Sequence, residues 1–142
     1  MSNYDNPWMY NGEPFDSDMI GDNYGFVYLI ENTITQKKYI GKKFFWSSGF
    51  KQVKGKRKRV KKESDWKQYY GSNEQLKSDI SEQCIDGRPE MGAHRTILRL
   101  CKTKGECSYY EIKEQLTVDA LIDPMYYNSF IGCKIHRRHL NV

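Results

Sequence analysis

Apolar and polar positions fall along this chain in short blocks, most of which carry a recognisable period. Gly25-Phe26-Val27-Tyr28-Leu29-Ile30 is a run of β-branched and aromatic residues bounded by glycine, the composition of a strand. The polar stretch Asn32-Thr33-Ile34-Thr35-Gln36 turns the chain, and Lys37 to Phe45 then carries Tyr39 and Ile40 on a second strand. Two apolar runs joined by so short a polar link predict an antiparallel hairpin. Ser72 with Gln75 fits a capping box opening a helix, with Leu76, Ile80 and Cys84 on one face and Gly87 at its end. Thr96 to Cys101 reads as a third strand. Ser108 with Glu111 offers a second capping box, after which Tyr109, Ile112, Leu116 and Ala120 form a helical stripe down to Pro124.

The order hairpin, basic segment, helix, strand, helix, tail predicts an α/β fold: a small, mainly antiparallel three-stranded sheet flanked by helices. Residues 1–24 are rich in Asn, Asp, Gly and Pro, with isolated Trp8, Tyr10, Phe15 and Ile20. Lacking a period, they are expected to form an irregular arm that lays its aromatic residues onto the domain. Residues 25–142 are expected to be the domain itself, including a basic loop, or long exposed hairpin, over 47–62. A length of 142 residues fits one domain with one modest core.

Composition adds two points. Aromatic residues make up 14% of the chain and tyrosine alone contributes 11, which suits a sheet whose polar-tipped rings both pack and reach into a site. The net charge of +5 is unevenly spread. From Lys51 to Lys62 there are eight basic residues and no acidic one, whereas the first 24 residues hold four aspartates, one glutamate and no Lys or Arg. Concentrated positive charge is the footprint of a polyanion contact; its bland alternative is a solvated loop. No secretory signal or membrane-length apolar run is visible, so a cytoplasmic protein with no membrane partner is expected. Cys84, Cys101, Cys107 and Cys133 show no CxxC spacing and read as reduced thiols. A zinc site drawing on Cys101, Cys107, Cys133 and His94, His136 or His139 is the alternative.

The candidate chemistry sits on the hairpin. Val27-Tyr28 on one strand is followed by Tyr39-Ile40-Gly41 on the next, and then by Tyr70-Gly71-Ser72, Glu111 on the last helix, and Tyr126-Tyr127-Asn128. On a short hairpin Tyr28 and Tyr39 can stand opposite or diagonal on one face. Gly41 leaves room on that face for a phosphate, and Lys43 returns a cation to it. A free phenol has a pKa near 10, so a tyrosine base needs cations beside it.

This ordered set, over roughly residues 25–135, resembles the GIY-YIG nucleases, and among them the Seg-type freestanding endonucleases of large phages. The resemblance implies a metal-dependent DNA endonuclease with one tyrosine-centred active site, working in the host cytoplasm if phage-encoded. Tyr28 would be the general base and Tyr39 its hydrogen-bonded partner. Glu111 would hold Mg2+ or Mn2+, and Lys43 would stabilise charge. Gly41, Lys42, Lys56, Arg57, Arg59, Tyr70 and Asn128 would line the substrate. One such site cuts one strand, so a double-strand break would take a homodimer or successive nicks.

Several positions have second readings. Glu111 is also placed to pair with Ser108 in a cap, which would pass the metal to Glu114. Tyr70 can be core, Asn128 can make a turn, and Trp46 and Trp66 can either stack on bases or pack under the basic segment. Phe26 stands where the family has glycine, and Lys43 where Seg-type proteins often carry histidine. The arginine usually found after YIG has no clear match unless Arg57 or Arg59 folds back. The alternative function is therefore a catalytically weakened GIY-YIG module that still binds nucleic acid.

Overall fold

A computed structural model of the chain describes residues 4, 6–82, 92–129 and 131. Its strands are β1 (Met9–Tyr10), β2 (Glu13–Pro14), β3 (Gly25–Asn32), β4 (Lys38–Phe44), β5 (Trp46–Val53), β6 (Lys56–Glu63) and β7 (Ala93–Cys101). Its helices are α1 (Glu74–Ser81) and α2 (Lys104–Thr117), with single 3-10 turns at Ser17–Met19 and Trp66–Gln68. The main sheet runs β2-β1-β7-β3-β4, and β5 and β6 form a separate two-stranded sheet.

The α/β class is as the sequence predicts, but the main sheet has five strands rather than three. The added pair comes from the segment expected to be irregular. Met9 pairs in parallel with Thr96 and antiparallel with Pro14. Trp8, Phe15 and Ile20 are buried as deeply as any strand residue. Strands of two residues are too short to show a period, and each of these side chains fills a separate hole.

The hairpin β3–β4 is antiparallel with Tyr28 opposite Gly41 and Ile30 opposite Tyr39. Its connection is tightened by Asn32, whose side-chain oxygen accepts from the N–H groups of Ile34 and Thr35. Between β3 and β7 the register shifts at Val27/Tyr28, so Leu98 is an extra residue on β7. The shift sends Arg95 and Ile97 to the face of Tyr28, and Arg99 and Cys101 to the opposite one.

Both faces are covered. Phe26, Tyr28, Ile30, Phe45 and Ile97 pack with Trp8, Phe15, Trp66 and the buried Leu76 and Ile80 of α1. Val27, Ile40 and Cys101 pack against α2 through Cys107, with Tyr110 and Val118 at the margin. Phe26, standing where glycine was expected, is wholly buried and lies 5.0 Å from Trp8 and 4.9 Å from Phe45, ring to ring. The glycine requirement has moved to Gly25. A Cβ there would meet the Lys43 carbonyl at 2.7 Å and Cys107 Sγ at 2.9 Å, so Gly25 lets α2 approach the hairpin.

Both helices open at other residues than the capping patterns named. α1 is capped by Asn73, whose side chain accepts from the Leu76 N–H at 2.9 Å. α2 is capped by Thr103, which accepts from the Glu106 N–H at 3.1 Å, while the Glu106 carboxylate accepts from the Lys102 N–H at 3.4 Å. Thr103 thus caps α2, and Glu106 reaches back to the residue just before that cap. Ser108 and Glu111 lie inside the helix, and Glu111 has no capping duty. Cys84 and Gly87 lie outside the described residues.

Candidate active site

β4 is the outermost strand of the main sheet, and the candidate groups gather around its free edge. Tyr28 and Tyr39 sit diagonally on one face with ring centroids 6.2 Å apart. The space over Gly41 is taken by Tyr28 itself. A Cβ at Gly41 would overlap the Tyr28 hydroxyl and sit 2.7 Å from its Cζ. Gly41 therefore makes room for the phenol, where the sequence reading reserved that room for a phosphate.

Tyr28 is 1% exposed. It packs on Trp8 at 5.2 Å and edge-on to Tyr69 at 5.9 Å, and it shares a hydrogen bond with the Tyr69 side chain. Burial first, then the neighbouring Tyr69 and Tyr39 phenols, push its pKa well above the ordinary value. Tyr39 is half-buried, and its hydroxyl lies 3.1 Å from Ser72 Oγ. Burial raises its pKa as well, with the Ser72 bond opposing. Lys43 reaches the same face. Its ammonium is 4.3 Å from the Tyr69 ring centroid and 2.7 Å from Asp65 Oδ1; the bond from Lys43 holds the Asp65 carboxyl below its usual range.

On the other side of the edge, α2 delivers Glu111. Its carboxylate lies 3.8 Å from Lys42 Nζ and accepts from the Lys42 backbone N–H. Burial raises the Glu111 pKa, and Lys42 opposes that rise. Lys42 also donates to Ser108 Oγ at 2.8 Å. Glu114, the substitute ligand, is bound to Arg99 Nε at 3.1 Å. Tyr39, Lys42, Ser72, Glu111, Gln115 and Asn128 line one cavity of about 770 Å³. Glu111 thus faces the tyrosine side around the strand edge, and Glu114 does not line that cavity.

Asn128 is a clamp on β4. Its side-chain oxygen accepts from the Ile40 N–H at 3.1 Å, and its amide donates to the Ile40 carbonyl at 2.8 Å. Gln115 donates to the same carbonyl at 3.0 Å, and Tyr127 N–H donates to the Lys38 carbonyl at 2.7 Å. These bonds cover the edge from Lys38 to Ile40, and the Glu111 carboxylate takes up the next outward N–H, that of Lys42. Tyr70 lies elsewhere: its ring is 4.2 Å from the buried Arg95 guanidinium, and its hydroxyl accepts from Asn6 at 3.2 Å. Arg95 in turn donates to the Tyr69 carbonyl at 2.7 Å. The residue next to the Tyr28 phenol is Tyr69. The sequence reading missed it, although the Tyr69-Tyr70 doublet offered a choice of two.

The basic segment is an extended hairpin, with Trp46 opposite Glu63 at its base and Val53 opposite Lys56 at its tip. Lys56 and Arg57 are exposed near that tip and do not line the cavity beside β4. Arg59 lies on β6 with its side chain outside the description. Strand pairing holds Arg57 opposite Gln52, so it does not fold back into the family's arginine position. Trp66 is core, donating to Glu63 at 3.0 Å, and Trp46 lies under Lys61 at 4.6 Å.

Among the described residues, no three His, Cys, Asp or Glu side chains gather into a metal cage. Cys101 and Cys107 are buried together as free thiols, with the Cys107 thiol raised by burial, while Cys133, His136 and His139 lie outside the description. Glu111 fits the other mode, in which one hard oxygen donor binds a divalent cation whose remaining shell is water and phosphate. Its carboxylate is partly desolvated and has one ammonium beside it.

A mixed sheet ending in the strand that carries Tyr39-Ile40-Gly41, with two helices, is consistent with a GIY-YIG fold. The family described as "Putative endonuclease segE, GIY-YIG domain" matches residues 8–131, and the chain belongs to that family. The match begins at Trp8, inside the segment that the sequence reading set apart as an arm. No curated protein and no solved structure matches the chain. Among the described residues no helix is long and apolar enough to cross a membrane.

Proposed function

We propose that the protein is a metal-dependent endonuclease that hydrolyses DNA phosphodiester bonds at the free edge of β4. The observation that carries this reading is that Tyr39 and Lys42 of β4 and Glu111 of α2 line one cavity at that edge. The hydrolysis needs an activated water, neutralisation of charge on the phosphoryl oxygens and a place for the proton.

Glu111 would hold Mg2+ or Mn2+, which supplies charge neutralisation and lowers the pKa of bound water. Lys42 reaches over the edge and binds the phosphate that Glu111 alone would repel. Tyr39 is the phenol at the cavity, and we assign it as the base: once its own proton has gone to solvent, the phenolate takes the proton from the attacking water, with Ser72 holding its oxygen. Tyr28, the residue expected as general base, is buried with its hydroxyl over Gly41 and bonded to Tyr69; in this reading it supports the Tyr39 phenol, and Tyr28→Phe beside Tyr39→Phe in the same assay decides which of the two is the base. Lys43 supplies positive field on the tyrosine face while Asp65 fixes its place.

The experiment is nicking of supercoiled plasmid in magnesium and in EDTA by the parent, Tyr39→Phe and Glu111→Gln. The reading expects open circles from the parent in magnesium alone. A binding module without catalysis is the second reading, favoured by one fact: among the described residues no arginine lines the cavity. It predicts salt-sensitive DNA binding and no nicking with any divalent metal.

A further inference from the structure

Among the described residues, the β5–β6 hairpin pairs with no other strand. Isolated two-stranded hairpins are marginal in water, and this one has poor means of holding itself together. Its register sets Val53 opposite Lys56, a rung at which no opposite charges join the strands. Its tip is a Lys54-Gly55 turn with both residues at positive φ, the tight two-residue connection that keeps a ribbon narrow. Lys54, Lys56, Arg57, Lys61 and Lys62 are all exposed. A structure that gathers eight positive charges and no negative one from Lys51 to Lys62 is completed by a polyanion.

The shape says which polyanion. Eight residues per strand reach about 27 Å at roughly 3.4 Å each. A two-stranded ribbon fits the B-DNA major groove, about 12 Å wide, but not the minor groove, about 6 Å wide. The deep, narrow major groove of A-form RNA does not admit it. The base of the ribbon adjoins the active site. Lys42 lines the catalytic cavity and also a smaller one of about 250 Å³ that includes Lys43, Trp46, Ser47 and Ser64. A phosphate backbone crossing Lys42 would be led from the strand edge to the hairpin.

We propose that the β5–β6 hairpin is a major-groove arm that selects B-form duplex DNA and delivers one of its strands to the β4 edge. The proposal rests on the nuclease reading for the identity of the site, but its test does not depend on cutting.

The test uses the full chain in EDTA, with a DNA duplex, the duplex RNA of the same sequence, and single-stranded DNA. Dimethyl sulfate footprinting reports guanine N7 in the major groove and adenine N3 in the minor groove. The expected result is tight binding to duplex DNA only, with guanine N7 protected and adenine N3 not. The triple variant Lys54→Gln, Lys56→Gln, Arg57→Gln should lose that protection and lower the slope of log affinity against log salt by about 2.7, at roughly 0.9 per phosphate contact. Its melting temperature should equal or exceed the parent's, since like charges have been removed. Equal affinity for duplex RNA, protection confined to adenine N3, or an unchanged slope in a folded variant would each overturn the proposal. Nicking by the parent in magnesium is scored separately, so loss of the groove arm and loss of the nuclease reading are distinguishable.

Discussion

The Glu111 carboxylate stands 3.8 Å from the Lys42 ammonium, at the place where the clamp on β4 ends. Burial has raised the Glu111 pKa and Lys42 partly reverses that. The proton therefore stays on Glu111 to a higher pH than on a free glutamate, whose pKa is about 4.3. Protonated Glu111 cannot hold a cation. In EDTA the Glu111 carboxyl should titrate above that value, and Lys42→Met should move its titration further upward. For stability the sign is opposite. A folded-state pKa above the unfolded one contributes stability at low pH that is lost as pH rises through the folded value. A carboxyl NMR titration of the metal-free protein checks the first claim, and a midpoint at the free-glutamate value would refute it.

Glu111→Gln should abolish cleavage and leave DNA affinity within a few-fold, because the amide keeps the shape and loses the charge. Glu114→Gln should cut at close to the parent rate. Its partner Arg99 is partly exposed, so the lost pair costs about 1 kcal/mol or less. The two variants side by side in the nicking assay, with thermal melts, decide between the carboxylates.

Gly41→Ala places a methyl group inside the Tyr28 hydroxyl. The ring or β4 must shift, at a cost of about 1–3 kcal/mol. Cleavage should fall more steeply than stability, since Tyr39 leans on Tyr28. A variant that melts like the parent and cuts at full rate would show that Tyr28 has space to spare.

Tyr39→Phe removes the hydroxyl at the cavity and should slow cleavage by about 10² to 10⁴. Tyr69→Phe takes away only the partner of Tyr28 and should cost less, with the pH profile shifted because one neighbouring phenol is gone. Single-turnover rates across pH for the two variants separate a proton acceptor from a positioning residue. Equal losses would reassign the roles.

Asn128→Ala leaves the Ile40 N–H without its acceptor and weakens the hold on its carbonyl. A loss of about 1–3 kcal/mol for an orphaned buried group is expected. Hydrogen exchange at Ile40 should speed up more than exchange on β3.

The hairpin β3–β4, the third long strand, both helices and the tyrosine pair were legible in the sequence, because each is written locally as a period or a short motif. The Gly25–Ile30 run declared itself a strand, and the Val27-Tyr28 and Tyr39-Ile40-Gly41 pieces carried the family. Helix starts were less legible. Ser72 and Ser108 satisfy a capping pattern as well as Asn73 and Thr103 do, and only the chain direction entering each helix selects between them. The first 24 residues looked irregular because their order comes from the holes they fill.

What this chain determined by sequence alone was therefore local: an α/β alternation, a basic segment, and two phenols on neighbouring strands that can share one face, a sharing that the hairpin register then fixes. Tertiary structure decided what lies between elements. It made the N-terminal stretch part of the sheet, turned Glu111 to the strand edge and Glu114 to Arg99, chose Tyr69 over Tyr70 as the neighbour of Tyr28, and held Arg57 out on a ribbon. Each of these depends on how distant segments pack, and on the bulge at Leu98 that sends Arg95 and Arg99 to opposite faces. Periodicity within a segment carries no record of either.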